Sequence, residues 1–348
     1  MLRYLLPWLV ASALTRVVLF LEPPGADQGL FMAEAELLRH GARFYSEVWE
    51  HKPVGTPLLY ALAQVLCGRN YASIQLLNSA AALLSAVMLS ALALRRGLSH
   101  AAACFAGLCY LAFHSGPVFG GFWAVAQAEV FLDPWLLGAL LMLLPTAAEP
   151  ANAGRCFFAG ISLGVAVIAI KTSALPLVLV GLLAARGPGS VRRTLAFGLG
   201  VALVATLVGG YFAATGRASE FFAATVHFNL DHRELGAQPF FAAPFAHLFP
   251  GPRVLALFYV LGLFAFVSRA TGKLRASAAL DRWLAQSSVL WLLAICEVIL
   301  QRKFWAYHYQ VTLLPLSAIA ALPPVAFCTT IRCTCPVLPS ASATKNSC

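Results

Sequence analysis

The sequence predicts an all-α polytopic membrane protein with about ten transmembrane helices and further interfacial helices in its first outer loop. Of its 348 residues, 60% are hydrophobic and 11% are charged, and the mean hydropathy is +0.79. Soluble domains have about 45–50% apolar and about 25% charged residues, so this composition excludes a soluble fold. The net charge of +10 is expected to orient membrane helices. No basic run is interleaved with aromatic residues, so a nucleic-acid partner is not expected.

Ten apolar segments approach or reach the roughly 20 residues that a membrane helix needs. They are 4–22, 71–94, 100–119, 128–145, 156–170, 172–186, 194–213, 253–268, 286–301 and 308–328. The first segment has no small-residue cleavage site after it, so we expect an uncleaved membrane helix rather than a signal peptide. The stretch 156–186 is broken at Lys171 and is either one bent helix or two half-length ones.

The distribution of Lys and Arg predicts how the chain is oriented. More basic residues face the cytoplasm when the N-terminus is inside, and the doublet Arg95-Arg96 stands at a helix end, where this rule is strongest. Both termini are then cytoplasmic and loop 23–70 faces outward from an inner or plasma membrane. We expect residues 1–328 to form one transmembrane domain and residues 329–348 to be a disordered cytoplasmic tail.

The first outer loop, 23–70, contains two predicted interfacial helices. Residues 30–40 have helical periodicity, and Pro53 is expected to lie in the first turn of a second helix over 54–67. The first helix has an apolar face that would lie in the membrane interface, formed by Leu30, Ala33, Leu37 and Leu38.

Charge is scarce in this chain and is concentrated in that loop. The charged and titratable residues there include Asp27, Glu34, Glu36, Glu47, Glu50, His51 and Lys52. Asp27 stands just before the first interfacial helix, where it is either a helix N-cap or a general base. Lys52 stands just before the second, where it either extends its ammonium to the interface or binds a phosphate.

Other charged residues lie within or beside predicted membrane segments, where they are costly and functional by default. Glu129 and Asp133 are one helical turn apart and share a face, although Asp133-Pro134 could instead end a helix. Lys171 either snorkels to the interface or reaches the same cavity as Lys52. Arg16 lies deep in the first helix and is expected to pair with an acid.

Near the end of the predicted domain, Tyr307, His308 and Tyr309 precede the last helix. The tyrosines fit an aromatic belt, and His308 is a candidate ligand for a phosphate or a metal. The tail sequence Cys333-Thr334-Cys335 lacks the ligand spacing of a zinc site. A divalent metal ion is left open as a cofactor, with no ligand set assigned.

Three motifs of the first outer loop occur in the order found in a known family. The motifs are Asp27-Gln28-Gly29, Trp49-Glu50-His51-Lys52-Pro53 and Leu58-Leu59-Tyr60-Ala61-Leu62. They resemble those of the integral-membrane glycosyltransferases of the C fold (GT-C), in particular the protein mannosyltransferase and aminoarabinose transferase group of glycosyltransferase family 39. Weaker later matches, within a likeness over about 4–325, are Ala126-Gln127-Ala128-Glu129, Gly160 to Lys171, and His308-Tyr309 with Leu313-Leu314-Pro315.

The resemblance implies that a sugar on a polyprenyl phosphate is transferred to the hydroxyl of an acceptor lipid, glycan or protein in the cell envelope. Asp27 would be the general base, Lys52 would bind the lipid phosphate, and a single displacement would invert the anomeric centre. The other residues expected to bind substrate are Arg16, Glu50, His51, Glu129, Asp133, Lys171 and His308. Many relatives carry an acid where this chain has His51.

A transporter or flippase of a lipid-linked or anionic substrate is the alternative. Transporters place charges near the middle of the membrane and often contain internal repeats. Here the charge is concentrated at one face and the sequence has no evident repeat, so transfer of a sugar is the favoured interpretation.

Overall fold

In the computed structural model, every regular element of the described chain is a helix, and one isolated bridge joins Phe44 to Val48. This confirms the all-helical class. The described residues are 2–114, 125–144, 152–184, 190–231, 267, 278–301 and 306–321.

The helices follow the order of the predicted apolar segments. The first five are α1 (Leu2–Arg16), α2 (Ala26–Arg39), α3 (Gly55–Cys67), α4 (Tyr71–Arg95) and α5 (His100–Phe113). The next six are α6 (Ala128–Leu143), α7 (Ala153–Gly164), α8 (Val178–Ala184), α9 (Ser190–Ala214), α10 (Ala218–Phe222) and α11 (Phe228–Asp231). Towards the end come α12 (Ala278–Gln301) and α13 (Leu313–Ala320).

The predicted count of ten membrane spans is not confirmed. Several predicted spans are short in the structure: α1 gives way to a 3₁₀ turn over Val17–Phe20, and a 3₁₀ turn over Ala306–Thr312 precedes α13. The predicted span 253–268 lies outside the described residues except for Val267. Four described helices are long and apolar enough to cross a membrane, namely Tyr71–Arg95, Ala153–Ile170, Ser190–Ala214 and Leu280–Gln301.

Helices α2 and α3 are amphipathic with their apolar side outward. Leu30 and Leu37 of α2 are exposed, whereas Phe31 and Glu34 are buried. Helix α3 repeats this arrangement, with Leu58, Leu62, Val65 and Leu66 exposed. Exposed leucine faces of this kind suit helices that lie against lipid.

The start of α2 differs from the sequence prediction. The helix begins at Ala26 rather than near residue 30, directly after the extended residue Gly25, which is its N-cap. Asp27 therefore lies inside the first turn, and the N-cap interpretation of Asp27 is wrong. Helix α3 begins at Gly55, so Pro53 precedes the helix instead of lying in its first turn.

The apolar stretch 156–186 consists of two helical pieces separated at Lys171. Helix α7 runs on through a wide π turn over Val165–Ile170, and Lys171 then adopts an extended conformation. A 3₁₀ turn leads into α8. The start of α3 packs against this break, because a Cβ on Gly55 would lie 2.3 Å from the carbonyl oxygen of Ala169.

Helices α7 and α9 pack with their backbones in close approach. A Cβ on Gly160 would lie 2.1 Å from the carbonyl oxygen of Phe197, and one on Gly200 would lie 2.1 Å from that of Phe157. Small residues at such contacts are typical of membrane helix pairs. This contact fixes the helix that leads to Lys171.

Candidate active site

Asp27 and Lys52, which are 25 residues apart in the sequence, meet directly. The Lys52 Nζ lies 3.3 Å from Asp27 Oδ2, and the two side chains are 20% and 23% exposed. The same ammonium lies 4.6 Å from the ring centroid of Phe31, a favourable position for a cation over an aromatic face. The structure therefore brings together the two residues that the sequence motifs singled out.

Two further side chains donate to the same carboxylate. Gln127 Nε2 lies 3.2 Å from Asp27 Oδ2, and the hydroxyl of Tyr307 also hydrogen-bonds Asp27. Burial, followed by the negative charges of Asp27 and Glu129, raises the pKa of Tyr307 above its ordinary value, so this tyrosine stays a neutral donor. Sequence reasoning missed Gln127 and assigned Tyr307 to an aromatic belt.

The position of Gln127 depends on a strained residue next to it. Ala126 has a φ of +52°, a left-handed conformation that L-residues with a Cβ adopt at a cost of about 1–2 kcal/mol. Its N–H donates to Asn78 Oδ1 at 3.0 Å, and its carbonyl accepts from the Tyr60 hydroxyl at 3.0 Å. These bonds hold the turn that directs the Gln127 amide to Asp27.

The middle residue of the Asp27-Gln28-Gly29 motif connects the same two segments. Gln28 is buried, and its Nε2 lies 2.5 Å from the carbonyl oxygen of Val125. Because Gln28 is adjacent to Asp27 and Val125 is two residues before Gln127, this bond fixes the first turn of α2 against the start of α6.

Glu50 organises the backbone that carries Lys52. Its Oε1 accepts from the backbone N–H of His51 at 2.8 Å, from that of Lys52 at 3.0 Å and from His51 Nδ1 at 2.8 Å. Burial alone would raise the pKa of Glu50, but the hydrogen bond with His51 and the charge of Lys52 outweigh it and lower the pKa to about 2. Glu50 is thus an anion, and it binds the backbone N–H groups of His51 and Lys52 as well as the His51 ring.

The carbonyl groups of the same loop are held from the other side. Asn229 Nδ2 donates to the carbonyl oxygen of His51 at 2.8 Å, and the Tyr45 hydroxyl donates to that of Lys52 at 3.1 Å. With Glu50 binding the N–H groups, both peptide units around Lys52 are fixed. The ammonium of Lys52 therefore extends from a rigid loop.

A second ionic cluster lies deeper, around Lys171. Its ammonium makes a short hydrogen bond to Glu129 and lies 3.5 Å from Glu297 Oε1. Lys171, Glu129 and Glu297 are all buried, so the snorkelling interpretation of Lys171 is wrong. Sequence reasoning missed Glu297, although an acid within an apolar helix is itself a functional signal.

Asp133 has a partner within the helical core. The Tyr110 hydroxyl donates to Asp133 Oδ2 at 2.6 Å, and Asp133 is 1% exposed. Helix α6 continues through Pro134 to Leu143, so the interpretation of Asp133-Pro134 as a helix end is wrong.

Arg16 is buried at the end of α1, and its contacts differ from those expected. Its Nη2 lies 2.9 Å from His114 Nδ1 and 3.5 Å from the carbonyl oxygen of Leu111. Within the described chain, no acid lies in salt-bridge distance of Arg16. The expectation of an acid as its partner is therefore wrong.

His308 lies beside Tyr307 with only 4% of its surface exposed, and the two ring centroids are 4.4 Å apart. It belongs to the segment that carries the Tyr307 hydroxyl to Asp27. Across the described residues, no group of three or more His, Cys, Asp or Glu side chains is arranged to hold a metal ion.

The predicted site residues thus fall into separate groups. Asp27 and Lys52 form a partly exposed pair, and Glu50 and His51 support the loop of Lys52. Glu129 and Lys171 belong to the buried cluster, and Asp133 and Arg16 make contacts of their own with Tyr110 and His114. What each residue does with a substrate stays a prediction.

These features define an integral membrane protein whose polar site lies next to two amphipathic helices with exposed leucine faces. No protein-family model matches the sequence, and no curated protein matches it. Among solved structures, the chain is similar to ArnT from Cupriavidus metallidurans, whose structure contains bound undecaprenyl phosphate. The TM-score is 0.61 and the identity 17%, over 95% of this chain and 62% of ArnT.

At this identity the likeness shows the fold. It confirms the GT-C fold that the loop motifs predicted. The present chain spans less than two thirds of the length of ArnT.

Proposed function

We propose that the protein transfers a sugar from a polyprenyl-phosphate donor to an acceptor hydroxyl at the outer face of the membrane. The observation that carries this proposal is the contact of 3.3 Å between Asp27 and Lys52 beside two helices with exposed leucine faces. A base and a phosphate-binding cation are the two groups that this reaction needs. The polyprenyl-phosphate class is suggested by the ligand bound to ArnT.

In the proposed reaction, Lys52 binds the phosphate of the donor, and its charge stabilises the phosphate as the leaving group. Asp27 accepts the proton of the acceptor hydroxyl. The acceptor oxygen forms a bond to the anomeric carbon while the bond from that carbon to the phosphate oxygen breaks. The phosphate leaves as an anion, so no strong general acid is required, and one displacement inverts the anomeric centre.

The ion pair also suggests an order of events. Without a donor, the Lys52 ammonium is paired with the Asp27 carboxylate. A donor phosphate would compete for the ammonium and leave Asp27 hydrogen-bonded to Gln127 and Tyr307 only. Deprotonation of the acceptor would then follow donor binding.

The buried cluster of Lys171, Glu129 and Glu297 supports the Asp27 site. Glu129 is two residues after Gln127, and its ion pair with Lys171 fixes the start of α6 against the break after α7. We assign to Glu129 and Lys171 the positioning of the segment that carries Gln127. With the N- and C-termini in the cytoplasm, as the distribution of Lys and Arg favours, the Asp27 site faces outward.

A transporter or flippase is the second candidate. The observation that favours it is the buried cluster of Lys171, Glu129 and Glu297, since charges inside a membrane often line a pathway.

One experiment separates sugar transfer from transport. Purified protein in liposomes that contain a membrane extract as the source of acceptor hydroxyl groups is given undecaprenyl phosphate that carries a radiolabelled sugar. Transfer of the sugar off the lipid and movement of the intact lipid across the bilayer are both measured.

The transfer proposal predicts that the bond between sugar and phosphate is cleaved, and that cleavage is lost in Asp27→Asn. Glu47→Gln is the matched control, because Glu47 is an exposed acid of the same loop that pairs with Arg43. Movement of intact donor without cleavage would favour the transporter and reject the transfer proposal.

A further inference from the structure

Glu34 is a buried acid close to the Asp27 site that the proposed reaction does not use. It lies two turns after Asp27 on the same helix, with 2% of its surface exposed. Within the described chain, no N–H or O–H group donates to either of its carboxyl oxygens. Its polar neighbour is the carboxyl of Glu50, which lies within hydrogen-bonding reach and is also 2% exposed.

Two buried carboxyl groups in contact cannot both be ionised without a large penalty, so one of them retains a proton. Glu50 is the ionised partner, because His51 and Lys52 supply three donors to its Oε1. Burial, followed by the charge of Glu50 and the hydrogen bond with it, raises the pKa of Glu34 from 4.5 to about 9. At neutral pH, Glu34 is a carboxylic acid and can donate its proton to Glu50.

The surroundings of this carboxyl pair come from three segments. The pair interacts electrostatically with Asp27 of α2, with Lys52 and Tyr45 of the loop, and with Tyr60 of α3. Of these groups, only Lys52 is a cation. The hydroxyl groups of Tyr45 and Tyr60 are engaged with the backbone carbonyls of Lys52 and Ala126, so neither replaces the donor that Glu34 provides.

We propose that Glu34 is a positioning residue: as a neutral acid it donates a hydrogen bond to Glu50, and Glu50 in turn fixes the loop backbone that holds Lys52 against Asp27. Ionised Glu34 would repel Glu50 and would attract the Lys52 ammonium away from Asp27. The role of Glu34 in catalysis rests on the proposed function, whereas the proton that Glu34 shares with Glu50 does not.

The test compares three variants with the wild-type protein in detergent. Glu34→Gln stays neutral and keeps an N–H donor for Glu50, whereas Glu34→Leu removes the donor. Glu36→Gln is the control, because Glu36 is an acid of the same helix that forms surface ion pairs with Arg39 and Arg69.

The first readout is the melting temperature between pH 7 and pH 10. Since the folded pKa of Glu34 is raised, its contribution to stability is complete at low pH and is lost as the pH rises through about 9. We expect wild type and Glu36→Gln to lose stability over this range and Glu34→Gln to lose clearly less. Parallel curves of melting temperature against pH for wild type and Glu34→Gln would overturn the proposal.

The second readout is cleavage of undecaprenyl phosphate carrying a radiolabelled sugar. We expect Glu34→Gln to keep activity within about twofold at pH 7 and to extend it to higher pH, and Glu34→Leu to lose about tenfold or more, mainly through a higher KM for the donor. Equal activity of Glu34→Leu and wild type would overturn the positioning role. If the stability curves differ as expected but no protein cleaves the donor, the shared proton is supported and the proposed function fails.

Discussion

Replacing Lys171 with methionine would remove the ammonium shared by Glu129 and Glu297. Both carboxyl groups are buried, with Glu297 0% and Glu129 2% exposed, so neither can be solvated by water when the cation is lost. Removing one partner of a buried ion pair costs about 3–5 kcal/mol, because an uncompensated charge is left in apolar surroundings. We expect Lys171→Met to be destabilised by this amount.

The assay is thermal unfolding of the purified protein in one detergent at one pH. With about 2.1 cal/mol/K of unfolding entropy per residue, a loss of about 3–5 kcal/mol in the free energy of unfolding lowers the melting temperature by about 4–7 °C. Glu129→Gln combined with Lys171→Met should be more stable than the sum of the single effects predicts, since the two side chains are in contact.

Lys52→Met is the comparison, because its ion pair with Asp27 is partly exposed, with the two side chains 20% and 23% accessible. Ion pairs in contact with water are worth about 0–1 kcal/mol, so Lys52→Met should change the melting temperature much less than Lys171→Met. A Lys171→Met protein as stable as wild type would refute the burial argument.

Other predictions concern backbone geometry and one buried hydrogen bond. Gly55→Ala would place a Cβ against the carbonyl of Ala169 and should destabilise the protein by about 1–3 kcal/mol, whereas a Cβ on Gly29 meets nothing within 4 Å, so Gly29→Ala should be tolerated. Ala126→Val should cost about 1–3 kcal/mol, because the position is buried and a β-branched residue is more strained than alanine at a left-handed φ. Ala126→Gly should be nearly neutral. Tyr110→Phe leaves a buried carboxyl without its donor and should cost about 1–3 kcal/mol. Melting temperatures measure all of these effects. Equal melting temperatures for Gly55→Ala and Gly29→Ala, or for Ala126→Val and Ala126→Gly, would contradict the geometry.

Local sequence patterns were sufficient for much of the first outer loop. The periodicity of residues 30–40 and 54–67 predicted α2 and α3, and the motifs around Asp27 and Lys52 predicted that these two residues act together. The start of α2 was predicted too late because the apolar repeat begins after the first turn. Polar residues at a helix start do not contribute to that repeat.

The remaining contacts of the site depend on how distant helices pack. Gln127 is 100 residues from Asp27, and Glu297 is 124 residues from Ser173, which donates to it at 3.3 Å. A single sequence does not specify the register between two helices so far apart. For the same reason, the burial of Lys171 and the contact of Arg16 with His114 were not predicted.

The most direct test of the central claim separates the roles of Asp27 and Lys52 in one experiment. Binding and cleavage of undecaprenyl phosphate carrying a radiolabelled sugar are measured for Asp27→Asn and Lys52→Met. We predict that Asp27→Asn binds the donor but cleaves it about 10²–10⁴ times more slowly, and that Lys52→Met loses donor binding. Cleavage at the wild-type rate by Asp27→Asn, or unchanged donor affinity in Lys52→Met, would contradict this division of roles.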